Sequence, residues 1–161
     1  MRSIVAVVVT VAAGSAASAQ TFTYNELVDG DMSNDIAAPT DLGVAGVGES
    51  TVRFQMENST GPNGDFDVFT FQIQAGEELA GIILNDYIGL DELSFLAIAE
   101  GPTFPVNPNI GDPSAFLGGV LFGSGDASVG DDLFPLLQLP FAGGTGFSGN
   151  LGEGSYSIFA Q

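Results

Sequence analysis

Carboxylates are the most abundant ionisable side chains in this sequence. The 161 residues include 20 Asp and Glu but no His and no Cys, and the two basic residues are Arg2 and Arg53. Ser-His-Asp, Cys-His and Ser-Lys nucleophiles cannot be built from this set, and zinc lacks its usual nitrogen and sulfur ligands. Two carboxylate chemistries remain, namely a glycosidase acid pair and a site for a hard cation.

A glycosidase needs two carboxyl groups that face each other across a cleft. Such enzymes usually hold sugar rings on aromatic platforms, and this sequence has no Trp. With 20 acids, some pair will have a suitable spacing by chance. We therefore predict that the protein is not an enzyme. A carboxylate-pair glycosidase is the alternative, and a purely structural component of an extracellular matrix is another.

Calcium is the cation that suits this composition best, because it accepts six to eight oxygen ligands in irregular loops. The candidate metal ligands are Asp65 and Asp67, which stand at the start of an alternating apolar stretch. A rival cluster begins like an EF-hand loop and comprises Asp29, Asp31 and Asp35. That loop lacks the glycine expected at its sixth position and the glutamate expected at its twelfth.

The main interpretation of Asp67 is structural rather than metal-binding. It follows the Gly-rich stretch 61–64, and a short carboxylate after such a turn commonly accepts hydrogen bonds from nearby backbone N–H groups. In this interpretation the Asp67 carboxylate accepts backbone N–H bonds and fixes the point at which the strand begins.

The N-terminal residues have the pattern of a signal peptide. Met1-Arg2-Ser3 supplies a positive start, residues 4–13 form an apolar run of about ten residues, and Ala17-Ser18-Ala19 matches a small-x-small cleavage pattern. The run is too short for the roughly 20 apolar residues that cross a bilayer. We predict cleavage after Ala19, secretion to the extracellular space or periplasm, and no membrane insertion.

The predicted boundaries are 1–19 for the signal peptide and 20–161 for a single domain. Without the leader, 20 acidic residues face Arg53 alone, which gives a formal charge of −19. Binding to nucleic acid or to anionic lipid requires Lys and Arg to replace counterions, so neither partner is expected. The acidic surface favours solubility in salty water, or else some of its carboxylates hold divalent cations.

Apolar residues recur at every second position, which is the period of a β-strand. Phe69, Phe71 and Ile73 alternate with polar residues, as on a strand with one face on a core. The other predicted strands are 51–56, 79–83, 93–98 and 155–160. We expect the continuously apolar strands 79–83 and 93–98 to be buried on both faces.

Glycine and proline interrupt the chain at short intervals and leave little room for helix, with 23 Gly and 8 Pro in all. One turn of helix could start at 131–134, where Pro135 would limit it. Residues 106–113 are predicted to form a long exposed loop. We therefore predict an all-β, jelly-roll-like β-sandwich with eight to ten strands in a single domain.

Three stretches resemble a known bacterial family. Residues 64–71 (GDFDVFTF) and 75–79 (AGEEL) resemble the G-x-x-D-x-F-x-F and A-G-x-x-L signature of pre-peptidase C-terminal (PPC) domains, and 151–158 (LGEGSYSI) resembles their closing strand. Asp67 matches the signature aspartate, whereas Asp65 does not. The resemblance implies a jelly-roll-like sandwich with an accessory role in binding or secretion, and a calcium, polysaccharide or matrix-protein ligand.

Two further stretches, 22–26 (FTYNE) and 131–137 (DDLFPLL), are similar to small exported proteins of the PEP-CTERM sorting type. Those proteins usually carry a Pro-Glu-Pro motif, an apolar helix and an Arg cluster. The sequence up to Gln161 contains none of these features, so surface anchoring is not carried over to this chain.

Overall fold

Two packed β-sheets make up the protein in its computed structural model, which describes residues 2–13, 20–57, 65–89, 93–108, 112–124, 126–141 and 144–161. In chain order, the elements are β1 (Arg2–Ala13), β2 (Thr23–Asn25), α1 (Glu26–Asp29), β3 (Thr40–Val44), β4 (Gly48–Glu57), β5 (Asp67–Ile73), β6 (Glu77–Ile88), β7 (Leu93–Glu100), a 3-10 turn (Pro113–Ala115), β8 (Gly118–Gly123), α2 (Phe134–Leu137) and β9 (Gly154–Ala160). Nine strands and two four-residue helices in these ranges confirm the predicted all-β sandwich.

The strands divide into a four-stranded sheet A, with the order β2-β4-β1-β6, and a five-stranded sheet B, with the order β3-β5-β9-β7-β8. Both sheets are mixed, because β2 runs parallel to β4 and β3 runs parallel to β5, while the other pairs are antiparallel. Apolar residues of both sheets belong to one core cluster. The two sheets therefore form a single domain.

The main core lies between the inner faces of the two sheets. Phe54 of β4 meets Phe69 of β5 across this core, with ring centroids 6.1 Å apart. Phe69, Phe71 and Ile73 are all buried, whereas Gln72 is exposed. The period-two pattern thus predicted the core-facing side of β5 correctly.

The outer face of sheet B is covered as well, by a second apolar cluster. This cluster includes Val68 of β5 and Phe159 of β9, which lie beneath Phe104 and Phe116 from the adjoining loops. The rings of Phe104 and Phe159 are 5.6 Å apart. The expectation that β5 has only one buried face was therefore wrong, because these loops shield the other face.

Residues 2–13 form β1, an interior strand of sheet A. β1 pairs antiparallel with β4 from Arg2↔Glu57 to Val11↔Gly48, and with β6 from Ile4↔Ile88 to Ala13↔Glu77. Val5, Val7, Val9 and Val11 of β1 are buried in the core. The apolar run predicted as the core of a leader is a fully paired strand in this structure.

The cut after Ala19 lies outside the described residues, so cleavage and export stay predictions. No helix in the described ranges is both long enough and apolar enough to cross a membrane.

The helical turn expected at 131–134 begins instead at Phe134, the first residue of α2. Pro135 occupies the first turn, where a missing N–H breaks no helical hydrogen bond, so it starts the helix rather than limiting it. Asp132 Oδ1 accepts hydrogen bonds from Phe134 N (3.0 Å) and Ile82 N (3.1 Å). These bonds fasten the start of α2 to β6.

The carbonyl group of Leu137 at the end of α2 lies directly against Gly118 of β8, where a side-chain Cβ would overlap it. Replacing Gly118 by Ala should therefore lower the free energy of unfolding by about 1–3 kcal/mol, the range for an overpacked site. Urea unfolding at one pH measures this change.

Gly152→Ala is the matched control, because no heavy atom lies within 4 Å of the position of its added Cβ. Its free energy of unfolding should stay within about 0.5 kcal/mol of the parent chain, as at other unconstrained surface sites. Equal effects at Gly118 and Gly152 would show that α2 does not pack on β8 as described.

Candidate functional site

Asp67, a predicted site residue, is the first residue of β5 and is almost completely buried. Its side chain is 1% exposed, and its two carboxyl oxygens accept no hydrogen bond within the described part of the chain. The expectation that the carboxylate accepts backbone N–H bonds was therefore wrong. The start of the strand is fixed by the backbone instead, since Val68 N donates to the carbonyl of Ser33 (2.9 Å).

Glu26, which the sequence analysis missed, is the second buried acid at this end of the sandwich. It is the first residue of α1 and is 9% exposed. Its Oε1 accepts a hydrogen bond from Met32 N (3.1 Å) and its Oε2 accepts one from Gln55 N of β4. The carboxylate therefore ties α1 to sheet A and to the segment that follows the helix.

Two more acids complete what we call the carboxyl cluster: Glu26, Asp31, Asp65 and Asp67. Asp31 is exposed and Asp65 is half-buried, and Asn34 Nδ2 donates to Asp65 Oδ1 (3.4 Å). The charges of all three other members act on Asp67. The fold thus brings the predicted pair, Asp65 and Asp67, together with one member of the rival cluster, Asp31.

The other members of the rival cluster are ordinary turn residues. Asp29 Oδ2 accepts a hydrogen bond from Asn25 N (2.7 Å), and Asp35 Oδ1 accepts one from Ala37 N (2.9 Å). Both side chains are exposed. They stabilise local backbone turns and do not join Asp31 in an EF-hand arrangement.

The electrostatics of the cluster favour the protonated forms of its buried acids. Burial first of all, together with the charges of Glu26, Asp65 and Asp31, raises the pKa of Asp67 to about 9. Burial also raises the pKa of Glu26, against the opposing effect of its bonds from Met32 N and Gln55 N. At neutral pH, Asp67 therefore carries a proton that an exposed aspartate would have lost.

A cluster of this kind can hold either a proton or a cation, since both reduce the repulsion between neighbouring carboxylates. Over the described ranges, no three His, Cys, Asp or Glu side chains are grouped so that they could hold a metal ion. A cation would therefore have to draw the side chains of Asp31 and Asp65 towards Asp67. Their exposure leaves them room to move.

Comparison of the chain with protein-family models, with curated proteins and with solved structures found no match in any of the three. The resemblance to PPC domains therefore rests on the residues quoted above and stays a prediction.

The raised pKa of Asp67 predicts an unusual pH dependence of stability. The folded protein keeps a proton that the unfolded chain releases above a pKa of 3.8. The free energy of unfolding should therefore fall by about 1.4 kcal/mol for each pH unit between about pH 4 and pH 9, and level off above that. Few other groups titrate between pH 6 and 9, because the sequence has no His.

Urea unfolding of the parent chain, Asp67→Asn and Asp126→Asn at pH 6, 7 and 8 measures this slope. Asp67→Asn should remove most of the slope and should be more stable than the parent chain at pH 8. Asp126 is exposed and lies outside the cluster, so Asp126→Asn makes the same charge change and should keep the slope. A parent chain as stable at pH 8 as at pH 6 would mean that Asp67 is ionised in the fold.

Proposed function

We propose that the protein is an exported, non-enzymatic binding module that takes up calcium at the carboxyl cluster. The observation that carries this proposal is Asp67, whose buried carboxyl oxygens have no hydrogen-bond partner in the described chain and are acted on by the charges of three other acids. Leaving a buried polar group without a partner costs about 1–3 kcal/mol. A bound cation would offset that cost and the repulsion at once.

Calcium suits the cluster better than magnesium does. The available ligands are carboxylate oxygens on two exposed or half-buried side chains and on two buried ones. Such a set is irregular, which calcium tolerates with its six to eight oxygen ligands, whereas magnesium requires a tight octahedron. Calcium binding must also displace the proton of Asp67, so its affinity should rise with pH.

The composition supports a non-catalytic role, because the chain has no His or Cys from which a catalytic nucleophile could be activated. The burial of Asp67 also argues against a glycosidase centred on it, since a general acid must come within hydrogen-bond reach of its substrate. Export is supported by the leader-like pattern of residues 1–19. The partner class, an extracellular polysaccharide or matrix protein, rests on the PPC resemblance alone.

Thermal melts with calcium, with magnesium and with a chelator, all at pH 8 and the same high ionic strength, test the calcium site. The ionic strength is fixed because screening alone should stabilise so acidic a chain. Calcium at a hundredfold excess over its Kd should add about 2.7 kcal/mol to the free energy of unfolding, and magnesium should add less. Calorimetry in two buffers of different ionisation enthalpy should show release of about one proton per calcium at pH 7.

Asp67→Asn and Asp65→Asn should each reduce the calcium effect, and Asp126→Asn should leave it unchanged. If the melts with calcium and with chelator coincide, the proposed calcium site is wrong and the cluster holds only a proton.

A panel of extracellular polysaccharides tests the partner class. We expect the protein to be retained on at least one of them and to release no reducing ends from any. Measurable release would favour the glycosidase alternative. Self-assembly without retention on any polysaccharide would favour a structural matrix component.

A further inference from the structure

The place of β1 in sheet A has the geometry of a site for one extended strand. β4 and β6 lie on either side of it, each antiparallel to β1 along ten paired residues. Neighbouring strands are about 4.8 Å apart, so β4 and β6 are separated by roughly twice that distance. The inward-facing positions of the strand are filled by four buried valines of β1.

The strands on either side of β1, β4 and β6, are each hydrogen-bonded on their far edges to other parts of the chain. β4 pairs on its far edge with β2 and donates from Gln55 N to Glu26. On the far edge of β6, Leu84 N donates to the carbonyl of Asp131 (3.0 Å), and Leu133 N donates to the carbonyl of Ile82 (2.7 Å). If β4 and β6 moved together to pair directly with each other, these contacts would break or be strained.

One end of the place contains another buried acid. Glu77, the first residue of β6, stands opposite Ala13 of β1 and is 2% exposed. Its two carboxyl oxygens accept no hydrogen bond from the described residues. Directly opposite residues of an antiparallel pair have side chains about 5 Å apart on the same face, so a basic residue at the position of Ala13 would lie beside the Glu77 carboxylate.

We propose that, in the exported chain, the place of β1 between β4 and β6 is an acceptor site for a β-strand from another protein. The proposal rests on the export and cleavage proposed above, which would remove β1. Loss of β1 would leave two rows of backbone N–H and C=O groups without partners and expose part of the core, and strand addition from another chain is a known means of satisfying such edges.

The chemistry of the site defines the partner segment. It is a strand of about ten residues that runs antiparallel to β4 and β6, is uncharged except at the position opposite Glu77, and has β-branched apolar side chains at every second position, as β1 has. A Lys or Arg at the position opposite Glu77 adds an ion pair, which the residue Ala13 of β1 cannot supply.

The test uses the full chain expressed in an exporting bacterium and the protein collected after export. Its mass reports whether residues 1–19 are gone, and circular dichroism reports whether it is folded. Four synthetic peptides of residues 3–13 with a soluble N-terminal tag serve as probes. They are the parent peptide, a core-face variant (Val7→Asp with Val9→Asp), an other-face variant (Val8→Asp with Thr10→Asp) and Ala13→Lys.

We expect the parent peptide to bind the exported chain 1:1 and to raise its Tm, or to fold the chain if it is unfolded alone. The core-face variant should bind about 100-fold more weakly or not at all, because two charges would be buried without partners. The other-face variant should stay within about tenfold of the parent peptide, since Val8 and Thr10 are only partly buried. The Ala13→Lys peptide should bind more tightly than the parent peptide.

Several outcomes would overturn the proposal. If the cleaved chain is folded but binds no peptide, β4 and β6 have paired with each other and there is no acceptor site. If the cleaved chain stays unfolded in the presence of peptide, the acceptor site is also contradicted. An exported chain that retains residues 2–13 means that β1 keeps its place. In the first two cases the proposed export and cleavage still stand, and in the third the export alone stands, whereas failure of the chain to leave the cell contradicts the proposed function itself. A dimer that the parent peptide splits supports the site and identifies a second copy as its occupant.

Discussion

Backbone pairing along both edges of β1 is the interaction on which the rest of the structure depends. Its four buried valines contribute about 1.5–3 kcal/mol each, and together they approach the net stability of a whole domain, about 5–15 kcal/mol. The pairing also sets the spacing of β4 and β6. β4 presents Gln55 N to Glu26, and β6 bonds Asp132 at the start of α2, so the carboxyl cluster and α2 are attached to the two strands that border β1.

Much of the fold could be predicted from the spacing of apolar residues. Period-two patterns located β4, β5 and β9, whereas continuously apolar runs located β6 and β7. The apolar pattern did not predict β3 and β8, because their local sequences are atypical for strands. β3 contains a Gly with positive φ, and β8 begins with two glycines that pack against Leu137 and Phe95. The apolar run in β1 matched two descriptions at once, because a leader core and a buried strand both need consecutive apolar residues. Composition alone therefore does not distinguish the core of a leader from a buried strand.

The site was predictable only in part. Asp67 could be identified from its place before an alternating apolar stretch. Its burial, and the lack of a hydrogen-bond partner among the described residues, could not be predicted. Asp67 lies on the same side of β5 as Phe69 and Phe71, which face the main core, so its burial depends on how the two sheets pack. The start of β5 is bonded through the backbone of Ser33 and Val68. Glu26 carried no signal beyond its place after a capping Asn25. The effect of its charge on Asp67 joins residues that are about 40 positions apart in the chain, so it depends on the tertiary fold.

The covering of sheet B on both faces divides the molecule into regions of unequal protection. Amides of β5, β7 and β9 lie between two apolar clusters, so we expect their exchange with solvent to require that the loops carrying Phe104 and Phe116 also detach. Sheet A lacks a second cluster of this kind over its described residues, so its amides can exchange through smaller openings. We therefore expect the amides of sheet B to exchange more slowly than those of sheet A.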